Sequence, residues 1–354
     1  MPLNTNNRLY WACQAVGLAR DGSSTFTPIH GLQTVGITTT FNLESLFEIG
    51  QLPLYELIEN IADVEVTLEK VLDGYPLIYH LATPNASNST LPGRSTVACI
   101  LALNVYGETV NSASGTQNAQ VTLSGLYCSS IGYNFPVEGF ATESVTLVGN
   151  NKVWSSAGFT FTGTLFNGSD APLSLASGTG GGQRREDVIF GSNLTGTNTL
   201  LPGGSYGGIP GLTASGANIA NSNGVLPAKI QSINITADLG RESLFELGRK
   251  LPYFRFVSYP VKVNTEIATI TADGDFVDFT EGGYDGFGGN LTPKRILVVT
   301  RDGTKIDAGS KNKLTGVTYG GGDAGGGNVT TTFSYSNDNE LVVLHLNDPA
   351  GFTS

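Results

Sequence analysis

Charge is scarce in this sequence. Of 354 residues, only 14% are Asp, Glu, Lys or Arg, against about 25% in an ordinary soluble domain. The charge present leans acidic, with 30 carboxylates against 19 Lys and Arg and a formal net charge of −11. No long Lys/Arg run occurs. A chain that grips nucleic acid needs a basic footprint, so specific nucleic-acid binding is disfavoured. Cysteine is nearly missing as well. Cys13, Cys99 and Cys128 are odd in number, widely spaced and without a C-x-x-C pair. That pattern argues against a disulfide framework or a zinc site and leaves them as small buried apolar residues. No apolar run approaches the about 20 residues of a membrane span. The opening stretch MPLNTNNRLYWACQAVGL has no basic segment leading into a long apolar core. The expectation is a chain made and folded in a cytoplasm.

Catalytic signatures are missing too. The three histidines, His30, His80 and His345, form no H-E-x-x-H and no pair with ligand spacing, and each is read as a strand or loop residue. There is no G-x-S-x-G elbow and no G-x-x-x-x-G-K-[ST] loop. GGGDAGGG (Gly320 to Gly327) lies between two strand patterns with no helix after it, so it reads as a long turn and not a phosphate cradle. DGDFVD (Asp273 to Asp278) gathers three carboxylates but lacks the distal Glu of a calcium loop, and its Asp-Gly step suits a hairpin turn. QRRED (Gln183 to Asp187) reads as a local salt bridge, with an anion site and an inter-subunit ion pair as the other readings. The expectation is therefore no catalytic, cofactor-binding or metal-binding residue, and no enzyme.

What the chain does have is glycine, 47 residues of it, and abundant Thr, Ser and Asn. That is the profile of a β-rich, turn-rich protein whose surface is hydroxyl and amide more than charge. Alternation at every second position marks strands: LQTVGITTTFNL, DVEVTLEKV, QVTLSGLYCSSIGYNF and FATESVTLVGNNKVW in the first half, then KIQSINIT, YPVKVNTEIATITA, RILVVTRDG, NKLTGVTYGG, NVTTTFSYS and LVVLHLND in the second. TVACILALNVY is apolar almost throughout, as a strand buried on both faces would be.

One phrase is written twice. Glu44 to Gly50 reads ESLFEIG and Glu242 to Gly248 reads ESLFELG. The flanks agree as well. An Ile/Thr-rich strand precedes each copy, a proline follows each with a one-residue slip (Pro53 and Pro252), and a strand of alternating valines ending in Asp-Gly comes after. TVACILALNVY matches RILVVTRDG in position. A tandem duplication of one domain accounts for this: residues 1–154 as the first, 229–354 as the second, and 155–228 as a Gly/Ser/Asn-rich arm between them. Val188, Ile189, Phe190, Leu200, Leu201 and Ile209 make that arm too apolar for a plain linker. The repeated phrase itself suggests a short helical turn or tucked loop ending at its glycine. Its carboxylates, Glu44 and Glu48, Glu242 and Glu246, recur at i, i+4 without any recurring partner, so they are read as fold or interface elements and not as acid/base pairs. Leu46 and Phe47, like Leu244 and Phe245, are expected to anchor the short element on each core. Replacing either Phe by Ala would then cost about 3–5 kcal/mol if its ring is buried.

YNFPVEGFATESVTLVGNNKVW (Tyr133 to Trp154) and the stretch from LGRESLFELGRKLPYFRFVSYPVKV to NVTTTFSYSNDNELVV resemble the tail tube proteins of tailed bacteriophages and related virion structural proteins. The resemblance implies a mainly β fold: two tandem tail-tube-like antiparallel β-sandwich or barrel domains, each with a short helix. It implies rings whose inner sheets join into one barrel around a lumen for genome passage during DNA ejection, with an acidic lining that lets DNA slide without specific binding. Its partners would be further copies of itself and other tail proteins, and its place the virion tail, after synthesis in the host cytoplasm. A doubled subunit would supply six ring positions as a trimer with pseudo-sixfold symmetry. A tail terminator or a capsid decoration protein fits the same β-rich, low-charge profile. A β-sandwich adhesin fits less well, because it calls for a signal peptide and an exposed aromatic platform, whereas Trp11 and Trp154 fall in apolar strand patterns.

Overall fold

The computed structural model of the chain describes residues 9–107, 117–155, 160–161, 181–191, 229–270, 293–320 and 327–352. Its first half runs β1 (Gln14–Arg20), β2 (Thr25–Pro28), β3 (Leu32–Thr40), β4 (Leu43–Leu46), β5 (Glu56–Glu59), β6 (Asp63–Val71), α1 (Ile78–Ala82), α2 (Leu91–Ser95), β7 (Cys99–Val105), β8 (Ala119–Pro136), β9 (Thr142–Gly149) and β10 (Asn151–Ser155). Two short strands follow, β11 (Thr160–Phe161) and β12 (Val188–Gly191). The second half runs β13 (Lys229–Asp238), β14 (Arg241–Leu244), β15 (Phe254–Val257), β16 (Lys262–Ile270), β17 (Leu297–Thr300), β18 (Lys305–Asp307), β19 (Lys313–Gly320), β20 (Thr330–Asp338) and β21 (Val342–Leu344). The fold is mainly β, with antiparallel sheets.

A single long antiparallel sheet organises these strands. Its order is β3-β6-β9-β8-β13-β16-β20-β19. It consists of two four-strand units with the same internal order, β3-β6-β9-β8 and β13-β16-β20-β19, joined edge to edge by β8 and β13. The correspondence reaches single residues. β6 and β16 carry the same alternation of buried and exposed positions, because Val64, Val66 and Leu68 face the core as Val263, Thr265 and Ile267 do. The pairing of β3 with β6 slips between Leu32 and Thr34, and that of β13 with β16 slips between Ile230 and Ser232. The pairing of β8 with β9 slips between Cys128 and Ser130, and that of β19 with β20 between Leu314 and Gly316. The bulges fall at Gln33, Gln231, Ser129 and Thr315, matching positions of the two units.

β8 is long enough to serve two sheets. Up to Leu126 it pairs with β7 and β10, and from Tyr127 it belongs to the long sheet. Gly125, at φ +64°, sits where it changes partners, a conformation that a residue with a Cβ adopts at a cost. β1, β2 and β7 complete the first outer sheet, and every residue of β7 is buried. In the second half the outer sheet is β12-β17-β18-β21. β12 pairs with β17 as β1 pairs with β7, antiparallel in both cases. One apolar cluster joins Leu18, Leu101 and Leu123 to Val66, Leu147, Ile235, Ile267 and Phe333 of the long sheet and to Ile306 and Val343. Each such side chain contributes about 1.5–3 kcal/mol by leaving water. The three cysteines are buried and unpaired; burial raises the Cys99 thiol and pushes that of Cys128 up to about 12.

The repeated phrase forms neither a helix nor a tucked loop. ESLFEIG and ESLFELG are the outgoing strand and tip of two hairpin arms, β4–β5 and β14–β15. The arms are equal in length: Leu46 accepts from the Tyr55 N–H and Leu244 from the Tyr253 N–H, each at 3.0 Å. The one-residue slip therefore lies after the arm, between Ser258 and Val263, and the two prolines occupy different places in their turns. Gly50 and Gly248 take positive φ, +106° and +84°, which only glycine adopts readily at a tip. Helical residues instead follow β6, in α1 and α2. Among the residues described in the second half there is no α-helix, and the stretch that corresponds to α1 and most of α2 lies outside the described residues.

The anchoring role of the repeated phrase fails. Phe47 is 66% exposed and Phe245 60%, because both lie at arm tips beyond the core. Phe47→Ala and Phe245→Ala should each change the stability of the unassembled chain by less than about 0.5 kcal/mol, as read from urea midpoints. A loss near the buried-ring value would show that the tips fold back.

Candidate functional site

The long sheet has one face on the core and one open. Side chains alternate across a strand, so the open face follows from the register. Thr38, Glu65 and Val148 share one row, and Gly36, Thr67 and Thr146 the next. In the second unit the rows are Thr236, Asn264, Ser336 and Asn234, Glu266, Ser334. Among the described side chains, Asp63, Glu65, Glu69, Asp238, Glu266 and Asp338 stand on this face against Lys262 and Lys313, with Arg255 of the second arm beside Asp63, and the strands themselves contain no arginine. Threonine, serine and asparagine fill most of the remainder. A wide β surface of this kind holds water, offers few cations to a phosphate and repels a polyanion.

The second feature is the pair of outer edges. Among the described residues, β3 pairs only with β6 and β19 only with β20. Each edge thus presents a row of unpaired backbone groups. The arms add exposed apolar surface, with Ile49, Leu52 and Leu247 the most exposed large hydrophobic side chains among the described residues. The second arm is rooted on the first unit. Arg241 Nε donates to the Cys128 carbonyl and Nη1 to that of Ser95, both at 2.7 Å. Its guanidinium lies 5.3 Å from the Tyr127 ring centroid, and Phe254 packs edge-on to the same ring. Arg255 Nη2 donates to Asn150 Oδ1 at 2.6 Å and lies 3.7 Å from Asp63. The first arm has no such seat among the described residues, and Leu43 and Leu57 on it are exposed.

The carboxylates and histidines singled out in the sequence are not brought together. Glu44, Glu48, Glu242 and Glu246 sit on the two arms, where Glu48 accepts from Gln51 and Glu246 pairs with Arg249. His30 stacks on Tyr75 at 4.1 Å. His80 and His345 do meet, with ring centroids 6.5 Å apart. QRRED is an intrachain element: Asp187 lies 3.6 Å from Arg301, and the buried Gln183 ties Leu72 and Ala141 to Asp302. DGDFVD, the centre of GGGDAGGG, and Leu200, Leu201 and Ile209 lie outside the described residues. Trp11 is 87% exposed and Trp154 60%, so neither is the core residue its apolar neighbours imply. Their burial cannot be held against a binding role. Among the described residues, no group of three or more His, Cys, Asp or Glu could hold a metal, and no helix is long and apolar enough to cross a membrane.

Two buried polar clusters escaped sequence reading because their members lie far apart in the chain. Glu143 on β9 accepts from the Ile78 and Tyr79 N–H groups at 2.6 and 3.2 Å and from the Tyr133 hydroxyl at 3.1 Å, capping α1 from another element. Burial raises its pKa, against the pull of those donors. The second cluster pairs Arg94 of α2 with Asp348, both side chains fully buried. His80 Nδ1 lies 3.8 Å from Asp348, and His80 Nε2 donates to the Val343 carbonyl at 3.1 Å. Burial lowers the pKa of His80, helped by Arg94 and His345, and burial likewise lowers that of His345 despite Asp302, Asp73 and Asp348.

A histidine with a lowered folded pKa takes its proton only on unfolding. The stability it contributes is complete above its unfolded value of about 6.5 and is lost as pH falls below it. Glu143, with its pKa raised, acts in the opposite sense above its unfolded value. The urea midpoint should fall between pH 7.5 and pH 5.5, and fall less in His345→Gln. An equal fall in both proteins would remove His345 from this role.

No family model and no curated protein matches the chain. Solved structures partly similar to it include the following three. The anti-feeding prophage cap, a tube-terminating cap, is 11% identical and matches over 44% of this chain and all of its own, with a TM-score of 0.31. The tail of an empty gene transfer agent particle, refined helically with C6 symmetry, is 15% identical over 49% of this chain and 99% of its own, at 0.28. The virion of a native gene transfer agent particle is 12% identical over 46% and 98%, at 0.24.

Proposed function

We propose that the chain is a structural subunit of a bacteriophage tail tube, in which rings stack around a lumen through which the genome passes. The observation that carries this is the long sheet: two equal four-strand units already joined edge to edge, with an acidic, hydroxyl-rich open face and an unpaired strand at each end. Residues 1–154 and 229–354 act as two tandem copies of one tube domain, with 155–228 as the arm between them. Three chains then supply six units, giving a threefold ring with pseudo-sixfold symmetry. Closing the ring removes the free edges through head-to-tail contacts between unlike surfaces. The open face becomes the lining, where Glu65, Glu266 and their acidic neighbours repel phosphate. The subunit needs no chemistry for this role. It meets other copies of itself and other tail proteins, in the virion tail, after synthesis in the host cytoplasm.

Electron microscopy of the purified protein tests the reading. Hollow tubes with threefold rings are expected. Six chains per ring would sink the trimer but not the tube, and monomers under every condition would sink both.

A further inference from the structure

We propose that the joint between neighbouring copies repeats the joint inside the chain, with β19 of one copy pairing with β3 of the next in the register of β8 and β13. This rests on the tube reading and adds the two edges and the residues that meet across them.

Within the chain, β8 and β13 pair Asn134 with Asn234, Tyr133 with Ile235, Gly132 with Thr236 and Ile131 with Ala237. The shared pairings and bulges of the two units match Tyr133 to Tyr319 and Gly132 to Thr318. They match Ile235 to Ile37 and Thr236 to Thr38. Carried to the outer edges, the register sets Tyr319 opposite Ile37, Thr318 opposite Thr38 and Gly320 opposite Gly36 of the next copy. The closing N–H bond of the internal joint, from Leu239 to the Ser129 carbonyl at 2.8 Å, becomes one from Phe41 to Thr315.

Exposure favours a second copy as the occupant. At the closed joint Tyr133 is 1% exposed and Leu239 0%; their counterparts at the free edges, Tyr319 and Phe41, are 57% and 73% exposed. The arms differ in the same sense. Arg241 and Arg255 root the second arm on the first unit, and their counterparts on the first arm are the exposed Leu43 and Leu57. On this reading the first arm lies against the second unit of the neighbour and swaps a cationic seat for an apolar one. What the free edges leave bare is what the internal joint covers, and the same sheet continues across both.

Cysteine pairs test the register. Thr38 and Thr318 face the open side of the sheet, away from the core. Directly opposed antiparallel residues have Cα atoms about 4.5–5.5 Å apart, inside the range a disulfide spans. A Thr38→Cys, Thr318→Cys protein, assembled and mildly oxidised, should run as covalent multimers on a non-reducing gel. Thr40→Cys with Thr318→Cys, displaced by two residues, should cross-link at least about tenfold less, since that diagonal separation is about 7–8 Å. Hydrogen exchange on unsubstituted protein gives a second reading: amides between residues 36 and 41 and between 315 and 320 should gain protection on assembly. Rings seen by microscopy without the cross-link and without that protection would overturn the joint and leave the tube reading standing. A displaced pair that cross-links as well as the matched pair would also overturn it. A protein that stays monomeric would overturn both.

Discussion

Asp348→Ala is expected to destabilise the chain by about 3–5 kcal/mol, the usual cost of removing one partner from a buried ion pair. Both side chains of the Arg94–Asp348 pair are fully buried. Arg94 Nη1 also donates to Thr83 Oγ1 at 2.9 Å, and the guanidinium lies 5.6 Å from the Tyr79 ring centroid and 5.4 Å from that of Phe352. Among the described residues, Asp348 is the carboxylate paired with the guanidinium, so the variant leaves a buried cation without its counter-charge. The pair also ties α2, in the first half, to the last described turn of the chain. Urea unfolding of unassembled protein measures the loss. The double variant Arg94→Met, Asp348→Leu should recover most of it, because well-packed apolar replacements of a buried pair are often neutral or better. A loss below about 1 kcal/mol for the single variant would show that the pair does not hold the halves together.

Tyr319→Glu is expected to leave the folded chain intact and stop it assembling. In the unassembled chain Tyr319 lies more than half in water, so a surface change there costs little. In the proposed joint it takes the place of Tyr133, which is buried within the chain. A carboxylate in that position loses several kcal/mol of hydration with no cation opposite it. That is at least about a hundredfold rise in the concentration needed for assembly, at about 1.4 kcal/mol for each factor of ten. Light scattering against concentration, beside an unchanged urea midpoint, checks both halves of the expectation. Assembly at the wild-type concentration would place the joint elsewhere.

The strands were legible because their chemistry is local. Val64, Val66 and Leu68 announce a half-buried strand without reference to any other residue, and an unbroken apolar run announces β7, buried on both faces. The arms were misread for a related reason. Leu46, Phe47 and Ile49 look like core residues in sequence, and only the hairpin pairing shows that they project past the core. Trp11 and Trp154 misled in the same way. The polar clusters were out of reach altogether. Arg94 meets Asp348, and Glu143 meets Ile78, across stretches of chain whose folding no local pattern encodes. The open face lay between these cases. Its acids could be counted in the sequence, but only the register puts Asp63, Glu65, Glu69, Asp238, Glu266 and Asp338 on one side.

The four bulges set a geometric condition on everything built from this chain. Each adds local bend and twist to its strand, and they sit at matching positions, Gln33 with Gln231 and Ser129 with Thr315. The long sheet therefore turns through similar angles in its two units. In a head-to-tail array the edges decide only that copies join. The angle turned per copy decides whether the array closes on itself and after how many members, or climbs as a spiral. In the proposed ring, bore and subunit count would then depend on these four inserted residues. Deleting Gln231 or Ser129, which lie off the outer edge strands, would leave the outer edge contacts available and still change the turn per copy.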